Sequence, residues 1–312
     1  MAKAWIRVLE VRLTSSLLKR QLVFGSGESE LNIEVQGTKY MSTLKDTCVV
    51  RISNLTYKEI VQIIQGKFYD VEVKAGYRNS NIQTIFKGGV LYVSNAINDT
   101  KTNTIILVCT SQMIAKYGQS RLNLSLNSGV NLYSAIKFIA RRAGIPNSNV
   151  STQFKKQFLQ DVVNVNENAA SWIDNLCSNN SSFIVNSDSI VDSVFSVYDS
   201  NKSNARVIKL NNDNINLTGG YPRLTSTGLS LSIMPTFSFM CGDVIQIDNS
   251  IIQIPVASKE EVQKNYGYYL DKDGMYMIFE IEYSLQNRGP DFSFNLNCKT
   301  RSLISNFIGG AS

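Results

Sequence analysis

A chain of 312 residues, 43% hydrophobic and 18% charged, has the composition of a globular protein with room for two or three domains. Its formal net charge of +6 is mild for this length. The chain contains no histidine, which excludes histidine as a general base, as the base beside a nucleophile and as a metal ligand. Catalysis by carboxylates or by lysine remains open.

The N-terminus and the cysteines indicate a soluble protein made in a reducing compartment. Residues 1–5 lead into a strand pattern and lack the apolar core of a signal peptide, and no stretch approaches the roughly 18 apolar residues of a membrane span. The cysteines are odd in number, widely spaced and without a C-x-x-C pair, so we predict buried reduced thiols, no metal and no cofactor. They are Cys48, Cys109, Cys177, Cys241 and Cys298.

Residues 1–118 predict a strand-rich unit with one helix. The helix begins at Thr56, whose hydroxyl and the Glu59 carboxylate three residues later form a capping box. Its apolar stripe is Ile60, Ile63 and Ile64, and Gly66 is placed to end it. One helix against about six strands is typical of a small barrel. The predicted strands are 5–13, 31–35, 47–52, 69–73, 84–93 and 103–110.

Residues 119–205 change to a helical period and predict a small α+β module. A short strand, 122–126, precedes a helix over 132–143 that Gly144 terminates. A second helix is predicted over 166–177, with Asn166 or Asn168 as its cap and Trp172 in its apolar stripe. Residues 182–185 and 193–198 then predict a hairpin.

Residues 206–312 predict a second β unit. Its strands are 206–210, 229–234, the run 244–247 that follows a turn at Gly242-Asp243, 275–283 and 292–298, and the last alternates apolar and polar residues at period two. A long polar loop, 248–273, interrupts the unit and contains Tyr266, Tyr268 and Tyr269. These tyrosines could stack on bases or sugars, but Tyr is also enriched at protein contacts. We favour a partner interface, because long loops in compact β units are usually functional or disordered.

Few residues offer chemistry. Glu280, Glu282 and Asp291 could serve as catalytic carboxylates, yet surface charge beside an apolar strand face explains the two glutamates better. Residues 271–274 resemble the start of a calcium loop, but a hairpin turn is favoured because no bidentate glutamate follows at the required place. The basic pairs Arg141-Arg142 and Lys155-Lys156 could meet nucleic acid or an acidic partner, although solvated helix faces are the simpler interpretation.

Several segments together resemble a known family. They are a turn ending in Gly242-Asp243 before a strand, a strand beginning Gly274-Met275-Tyr276, a Gly289-Pro290-Asp291-Phe292 turn into the last strand, the capped segment 166–176 before a hairpin, and the segments 71–77 and 85–90 of the first unit. In order and spacing they are similar to the baseplate hub proteins of contractile-tailed phages and related injection systems.

The resemblance implies a mainly β fold in which two tube-like β-barrels, 1–118 and 206–312, flank the α+β module 119–205. It further implies a structural virion protein without enzymatic activity, located in the tail baseplate and made in the host cytoplasm. Three copies would form a pseudo-sixfold ring that joins a hexameric tail tube to a trimeric central spike and lets the genome pass. A baseplate wedge or tape-measure protein could be a further partner.

Two alternatives remain at this stage. The first is a single-stranded nucleic-acid-binding barrel that uses Tyr, Lys and Arg on one face, with salt-dependent binding. The second is a glycan-acting tail enzyme that uses Glu280, Glu282 or Asp291 as its carboxylates.

Overall fold

The protein is a mainly β structure with a small helical insert, as the sequence predicts. The computed structural model describes residues 6–15, 17–25, 31–41, 46–78, 82–97, 103–111, 120–144, 148–150, 152–169, 171–172, 175, 183–186, 195–199, 206–211, 220–225, 228–235, 239–253, 270–271 and 273–300. Among these residues no helix is both long and apolar enough to cross a membrane.

The described residues of the first part of the chain form seven strands and one helix. The strands follow the predicted alternation, since inward side chains of β1 such as Leu9, Val11 and Leu13 are buried. The elements are β1 (Arg7–Ser15), β2 (Arg20–Phe24), β3 (Asn32–Tyr40), β4 (Thr47–Ser53), α1 (Tyr57–Gln65), β5 (Asp70–Tyr77), β6 (Gln83–Ile97) and β7 (Asn103–Ser111).

Helix α1 has the predicted capping box but not every predicted detail. The Thr56 hydroxyl accepts a hydrogen bond from the Glu59 amide, and the Glu59 carboxylate accepts one from the Thr56 amide. Ile60 and Ile63 are buried, whereas Ile64 is exposed. Gly66 ends the helix, but its backbone is right-handed. The residue with a positive φ, 48°, is Lys67, which follows it.

The insert forms a separate apolar cluster around its helix. Helix α2 buries Leu132, Ile136, Ile139 and Ala140 as predicted, and Gly144 follows it with a φ of +81°. A 3₁₀ helix, Thr152–Lys156, packs against α2, and the predicted hairpin forms as β11 and β12. The elements are β8 (Leu124–Leu126), α2 (Leu132–Arg142), β9 (Ser148–Val150), β10 (Val163–Val165), β11 (Phe183–Asn186) and β12 (Phe195–Asp199).

The predicted helix 166–177 is described only in part. Ala169, Ser171, Trp172 and Asn175 are helical, and the Trp172 amide donates to the Asn168 carbonyl at 3.0 Å. Ala169 and Trp172 are buried in the cluster of the insert, as the apolar stripe predicts.

The last part of the chain forms the second strand-rich unit. Its strands match the predicted ones, and β14, β9, β10 and β2 are short strands that the sequence pattern did not reveal. The elements are β13 (Val207–Leu210), β14 (Arg223–Thr225), β15 (Gly228–Ile233), β16 (Val244–Ile247), β17 (Met275–Gln286) and β18 (Phe292–Thr300), with a short 3₁₀ helix, Asn249–Ile251.

Thirteen of the described strands form a single sheet, which contains strands of both β units. Its main path runs β14-β15-β18-β17-β3-β4-β7-β6-β5-β1-β2, and β16 branches from β17 and pairs with β13. The antiparallel pair β17–β3 joins the two units, in register from Glu280 opposite Tyr40 to Gln286 opposite Glu34. We call this pair the seam. Buried residues of both units also belong to one apolar cluster.

The seam is supported by contacts at the ends of the strands. Asn287, in the turn after β17, receives the Ile33 amide on its side-chain oxygen at 2.9 Å and donates to the Leu31 carbonyl at 2.9 Å. The Arg7 guanidinium reaches the carbonyls of the same turn and lies 5.2 Å from the centre of the Phe292 ring. The two units are therefore held in one orientation, while the boundaries at 118 and 205 remain predictions.

Candidate assembly surfaces

Strand β2 forms an exposed end of the sheet. In the described strands it pairs with β1 and ends the path, so its outer backbone groups face away from the sheet. Leu17 and Leu18, in the turn before it, and Val23 within it are large apolar side chains that are exposed. We call Leu17, Leu18 and Val23 the β2 edge. Apolar side chains on an open strand edge are typical of a surface that another chain covers.

A second apolar surface surrounds a bulge in β6. Val90 pairs with Cys109 and Tyr92 with Val108, so Leu91 is the extra residue of a β-bulge. As a result, both Leu91 and Tyr92 are exposed, at 57% and 60%. Tyr69 is also exposed and lies beside them, because its carbonyl accepts the Val90 amide at 2.8 Å. Period-two alternation of apolar and polar residues could not predict this patch. The adjacent large side chains Leu91 and Tyr92, shortly after Gly88-Gly89, are a sequence signal that could have indicated it.

The candidate interface residues Tyr266, Tyr268 and Tyr269 lie outside the described residues, so their role stays a prediction. The two ends of the loop that contains them are described. At one end, the Gln253 amide donates to the Pro222 carbonyl at 2.7 Å, and the Leu224 amide donates to the Gln253 carbonyl at 3.0 Å. This ties the loop to β14.

A polar cluster holds the other end of the loop. The Asn249 side chain donates to the Asp271 carbonyl at 2.7 Å, and the Tyr276 hydroxyl donates to the Asn249 side-chain oxygen at 2.9 Å. The Asp271 carboxylate accepts the Asp273 amide at 2.9 Å, and Gly274 follows with a φ of +65°. Asp271, Asp273 and Gly274 therefore lie in a turn that leads into β17, as predicted. Burial is the main cause that raises the pKa of Tyr276 to about 12, so its hydroxyl stays protonated and able to donate at neutral pH.

The Gly242-Asp243 turn has a structural role. Gly242 has a φ of +93°, which favours glycine, and its amide donates to the Ile278 carbonyl at 2.7 Å. The buried Asp243 carboxylate accepts the Met240 amide at 2.9 Å and the Arg206 guanidinium at 2.5 Å. Arg206 directly precedes β13. The motif thus joins β13 and β16 to β17.

The three carboxylates that the sequence offered for catalysis lie along one hairpin. Glu280 accepts a hydrogen bond from the Asn297 side chain at 2.9 Å, and burial followed by a hydrogen bond to Glu280 raises the pKa of Tyr40. Glu282 is exposed, and Asp291 lies beyond the far end of β17, where it accepts the Ser284 hydroxyl at 3.2 Å. Glu280 is thus engaged by side chains of both neighbouring strands, which favours the interpretation as surface charge. Among the described residues, no group of three metal-ligating side chains could hold an ion.

Four of the five cysteines are buried free thiols, as predicted: Cys48, Cys109, Cys241 and Cys298. Cys48 and Cys109 are directly opposite each other on β4 and β7. Burial raises the pKa of Cys48 to about 12, and it also raises the pKa values of Cys109 and Cys298. Cys177 lies outside the described residues.

We expect these thiols to be unreactive in the native protein, because all four are buried and burial also disfavours the thiolate of Cys48, Cys109 and Cys298. A Cys177→Ser variant treated with a thiol-reactive chromogen at pH 8 should show almost no labelling, and four labelled thiols after addition of denaturant. For Cys48, Cys109 and Cys298, the raised pKa values imply that labelling stays slow when the pH is raised further, as long as the fold persists. Rapid labelling of two or more thiols without denaturant would contradict the buried positions.

No protein-family model and no curated protein matches the sequence. Solved structures do match the fold. The 43 kDa tail protein of prophage MuSo2 from Shewanella oneidensis is 9% identical, with a TM-score of 0.58 over 95% of this chain and 98% of that protein. A tail protein from Neisseria meningitidis MC58 is 9% identical, with a TM-score of 0.54 over 95% of this chain and 97% of that one.

A protein from a secretion system has the same fold. The E. coli c3393 protein, described as a component of the type VI secretion system with structural similarity to the T4 tail proteins gp27 and gp5, is 10% identical. Its TM-score is 0.56, over 88% of this chain and 75% of that protein. The chain therefore has the fold of phage tail and type VI secretion proteins, which confirms, at the level of the fold, the resemblance to baseplate hub proteins.

Proposed function

We propose that the chain is a structural hub of a tail baseplate, in which three copies form a ring between a hexameric tail tube and a trimeric central spike. The ring would leave a passage for the genome and would have no enzymatic activity. The fold shared with tail proteins supports a structural role in a tail. The ring, its partners and its place in the virion belong to the proposal.

The seam is the observation on which this proposal depends. A ring of three chains offers six similar positions only if each chain contributes two β units held at one relative orientation. The seven residue pairs between β17 and β3, together with the shared apolar cluster, provide that rigid connection. With a flexible linker between the two units, their relative orientation would vary. The six positions would then not match a sixfold partner.

The exposed edges of the sheet support a head-to-tail ring. Such an interface uses two different surfaces of each chain, and a rotation that closes after three copies gives a ring. Among the described strands, β2 ends the path on one side and β14 ends it on the other. We propose that the β2 edge of one copy packs against the next copy, which would cover Leu17, Leu18 and Val23.

The ring can be tested by mass and by imaging. Light scattering on the purified chain at increasing concentration should approach three times the 34.8 kDa of one chain. If neighbours are needed for assembly, cryo-EM of the intact particle should show threefold symmetry at the layer of this protein. A layer with sixfold symmetry or with a single copy would contradict the proposal.

The β2 edge can be tested with charge substitutions on exposed positions. The double variant Leu17→Glu/Val23→Glu should remain folded but fail to form trimers, because a carboxylate buried without a partner costs several kcal/mol. The matched control is Phe158→Glu/Val162→Glu, which changes two equally exposed apolar residues of the insert. Trimers that survive the first pair of substitutions, or that are lost with the second, would exclude this edge as the contact.

The alternatives have weaker support. Stacking of bases on Tyr266, Tyr268 and Tyr269 stays a prediction outside the described residues, as does their role as an interface with a neighbouring tail protein. A glycan-acting enzyme would use Glu280, Glu282 or Asp291, and of these Glu280 already accepts a hydrogen bond from Asn297. Turnover that is lost in a Glu280→Gln variant would revive that alternative.

A further inference from the structure

The positive charge of the chain is concentrated in one segment. Residues 100–160 contain eight Lys and Arg residues and no Asp or Glu. The formal positive charge of this segment is therefore larger than the net charge of +6 of the whole chain. Such a separation of charge is typical of a surface that meets a partner of opposite charge. The spacing of the basic residues along the sequence does not show whether they share one face.

The fold packs together the two helical elements of the insert that carry the two basic pairs. Helix α2 presents exposed Lys137, Arg141 and Arg142, and the 3₁₀ helix packed against it presents exposed Lys155 and Lys156. The ammonium nitrogens of Lys137 and Lys155 lie 4.7 and 5.1 Å from the centre of the same ring, that of Tyr133. We call these five cations the basic face.

Among the described residues, no ion pair compensates these five cations. Arg141 and Arg142 interact favourably with the C-terminal end of α2, but Lys155 and Lys156 belong to another element. A hydrogen bond with Lys137 is the largest cause that lowers the pKa of Tyr133, and the charges of Lys137 and then Lys155 lower it further. Like charges gathered in this way repel each other, which lowers the stability of the fold. Binding of an external anion would reduce this repulsion.

Apolar residues beside the basic face indicate the kind of anion. Phe138 is exposed on α2, and the Arg142 guanidinium lies 5.3 Å from the centre of its ring. Phe158 and Val162 are 56% and 60% exposed, and Phe158 pairs with Asn131 at the start of α2. Cations of the chain already lie over the Tyr133 and Phe138 rings, which leaves less aromatic surface for the stacking that non-specific binding of nucleic acid uses. Arginine with exposed phenylalanine is the composition of a protein contact.

We propose that the basic face docks an acidic segment of another protein, with apolar side chains of that segment packing on Phe138 and Phe158. The carboxylates would pair with Arg141, Arg142 and Lys155 around the rim, and the apolar contacts would select a polypeptide over other polyanions. This site lies on the insert and does not depend on the proposed ring.

Fluorescence anisotropy on the full chain tests the proposal. The probes are a labelled peptide of Glu residues interspersed with Leu, the same peptide with Lys in place of Glu, and a single-stranded DNA of matched charge. At low salt we expect the acidic peptide to bind, the basic peptide not to bind and the DNA to bind more weakly. The double variant Arg141→Gln/Lys155→Gln should weaken binding of the acidic peptide by about tenfold.

Two controls separate this face from the general charge of the protein. Lys58→Gln/Lys67→Gln removes two exposed charges on and beside α1 and should leave binding unchanged. Phe158→Ser should weaken binding of the acidic peptide but not binding of the DNA. Tighter binding of DNA than of the acidic peptide would overturn the proposal in favour of nucleic acid. Equal losses in both double variants, or no binding of the acidic peptide, would also overturn it.

Discussion

A Gly37→Ala substitution should lower the free energy of unfolding by about 3 kcal/mol, because it inserts a methyl group into the seam. A Cβ at this position would lie 2.3 Å from the Thr47 carbonyl oxygen and 2.3 Å from the Tyr283 hydroxyl oxygen. Gly37 on β3 is directly opposite Tyr283 on β17. The Tyr283 side chain is buried, and its hydroxyl donates a hydrogen bond to the Thr47 carbonyl at 3.2 Å. The Tyr283 ring can lie across β3 only at a position where β3 has no side chain.

Chemical denaturation measures this effect, and a second glycine provides the matched control. Gly129→Ala places the same methyl group at a φ of +81° with no atom within 4 Å, so it should cost only about 1 kcal/mol from backbone strain. Adding Tyr283→Leu to Gly37→Ala should recover part of the loss, since the two substitutions act on one contact. Equal losses in the two alanine variants would show that the seam is not tightly packed at Gly37.

An Asp243→Ala substitution should lower the free energy of unfolding by about 2 kcal/mol. It removes the acceptor of the Met240 amide and one partner of the Arg206 guanidinium. The Arg206 side chain is about half exposed, so water compensates for much of the lost ion pair, and most of the loss comes from the turn. Strands β13 and β16 would then be held less firmly against β17.

The control for this prediction is Asp291→Ala in the same unit. The Asp291 side chain is exposed and accepts a hydrogen bond from the Ser284 hydroxyl, so its loss should stay within about 0.5 kcal/mol. Hydrogen exchange should show faster opening of β13 and β16 in the Asp243 variant, with β4 and β7 unchanged. Uniform opening of the whole sheet would contradict a local role for the turn.

These two predictions concern the connections that a hub would need. A ring that joins a sixfold partner to a threefold partner transmits load between its two β units, and the seam is where they meet. The Gly242-Asp243 turn holds the branch of the sheet that begins at β13. A loosened seam would therefore be expected to reduce trimer formation even when the chain still folds.

Local pattern was enough to predict most elements of this protein. Period-two alternation locates the long strands, because one face of each is buried, and the capping box and apolar stripe locate α1 and α2. Short strands such as β9 and β14 were missed, because three residues show no period. The bulge at Leu91 and the exposure of Ile64 depend on which neighbours cover them, so no local rule could predict them.

The sequence by itself determined the mainly β character, the helical insert, the burial of four thiols and the absence of histidine chemistry. These properties follow from composition and short-range periodicity. Only the tertiary structure decided that the two β units share one sheet through β17 and β3, and that Lys137 and Lys155 lie beside the same ring of the insert, that of Tyr133. Both depend on contacts between residues far apart in the chain. The pairing of distant strands and the packing of helices are set by the free energy of the whole core, which no local segment encodes.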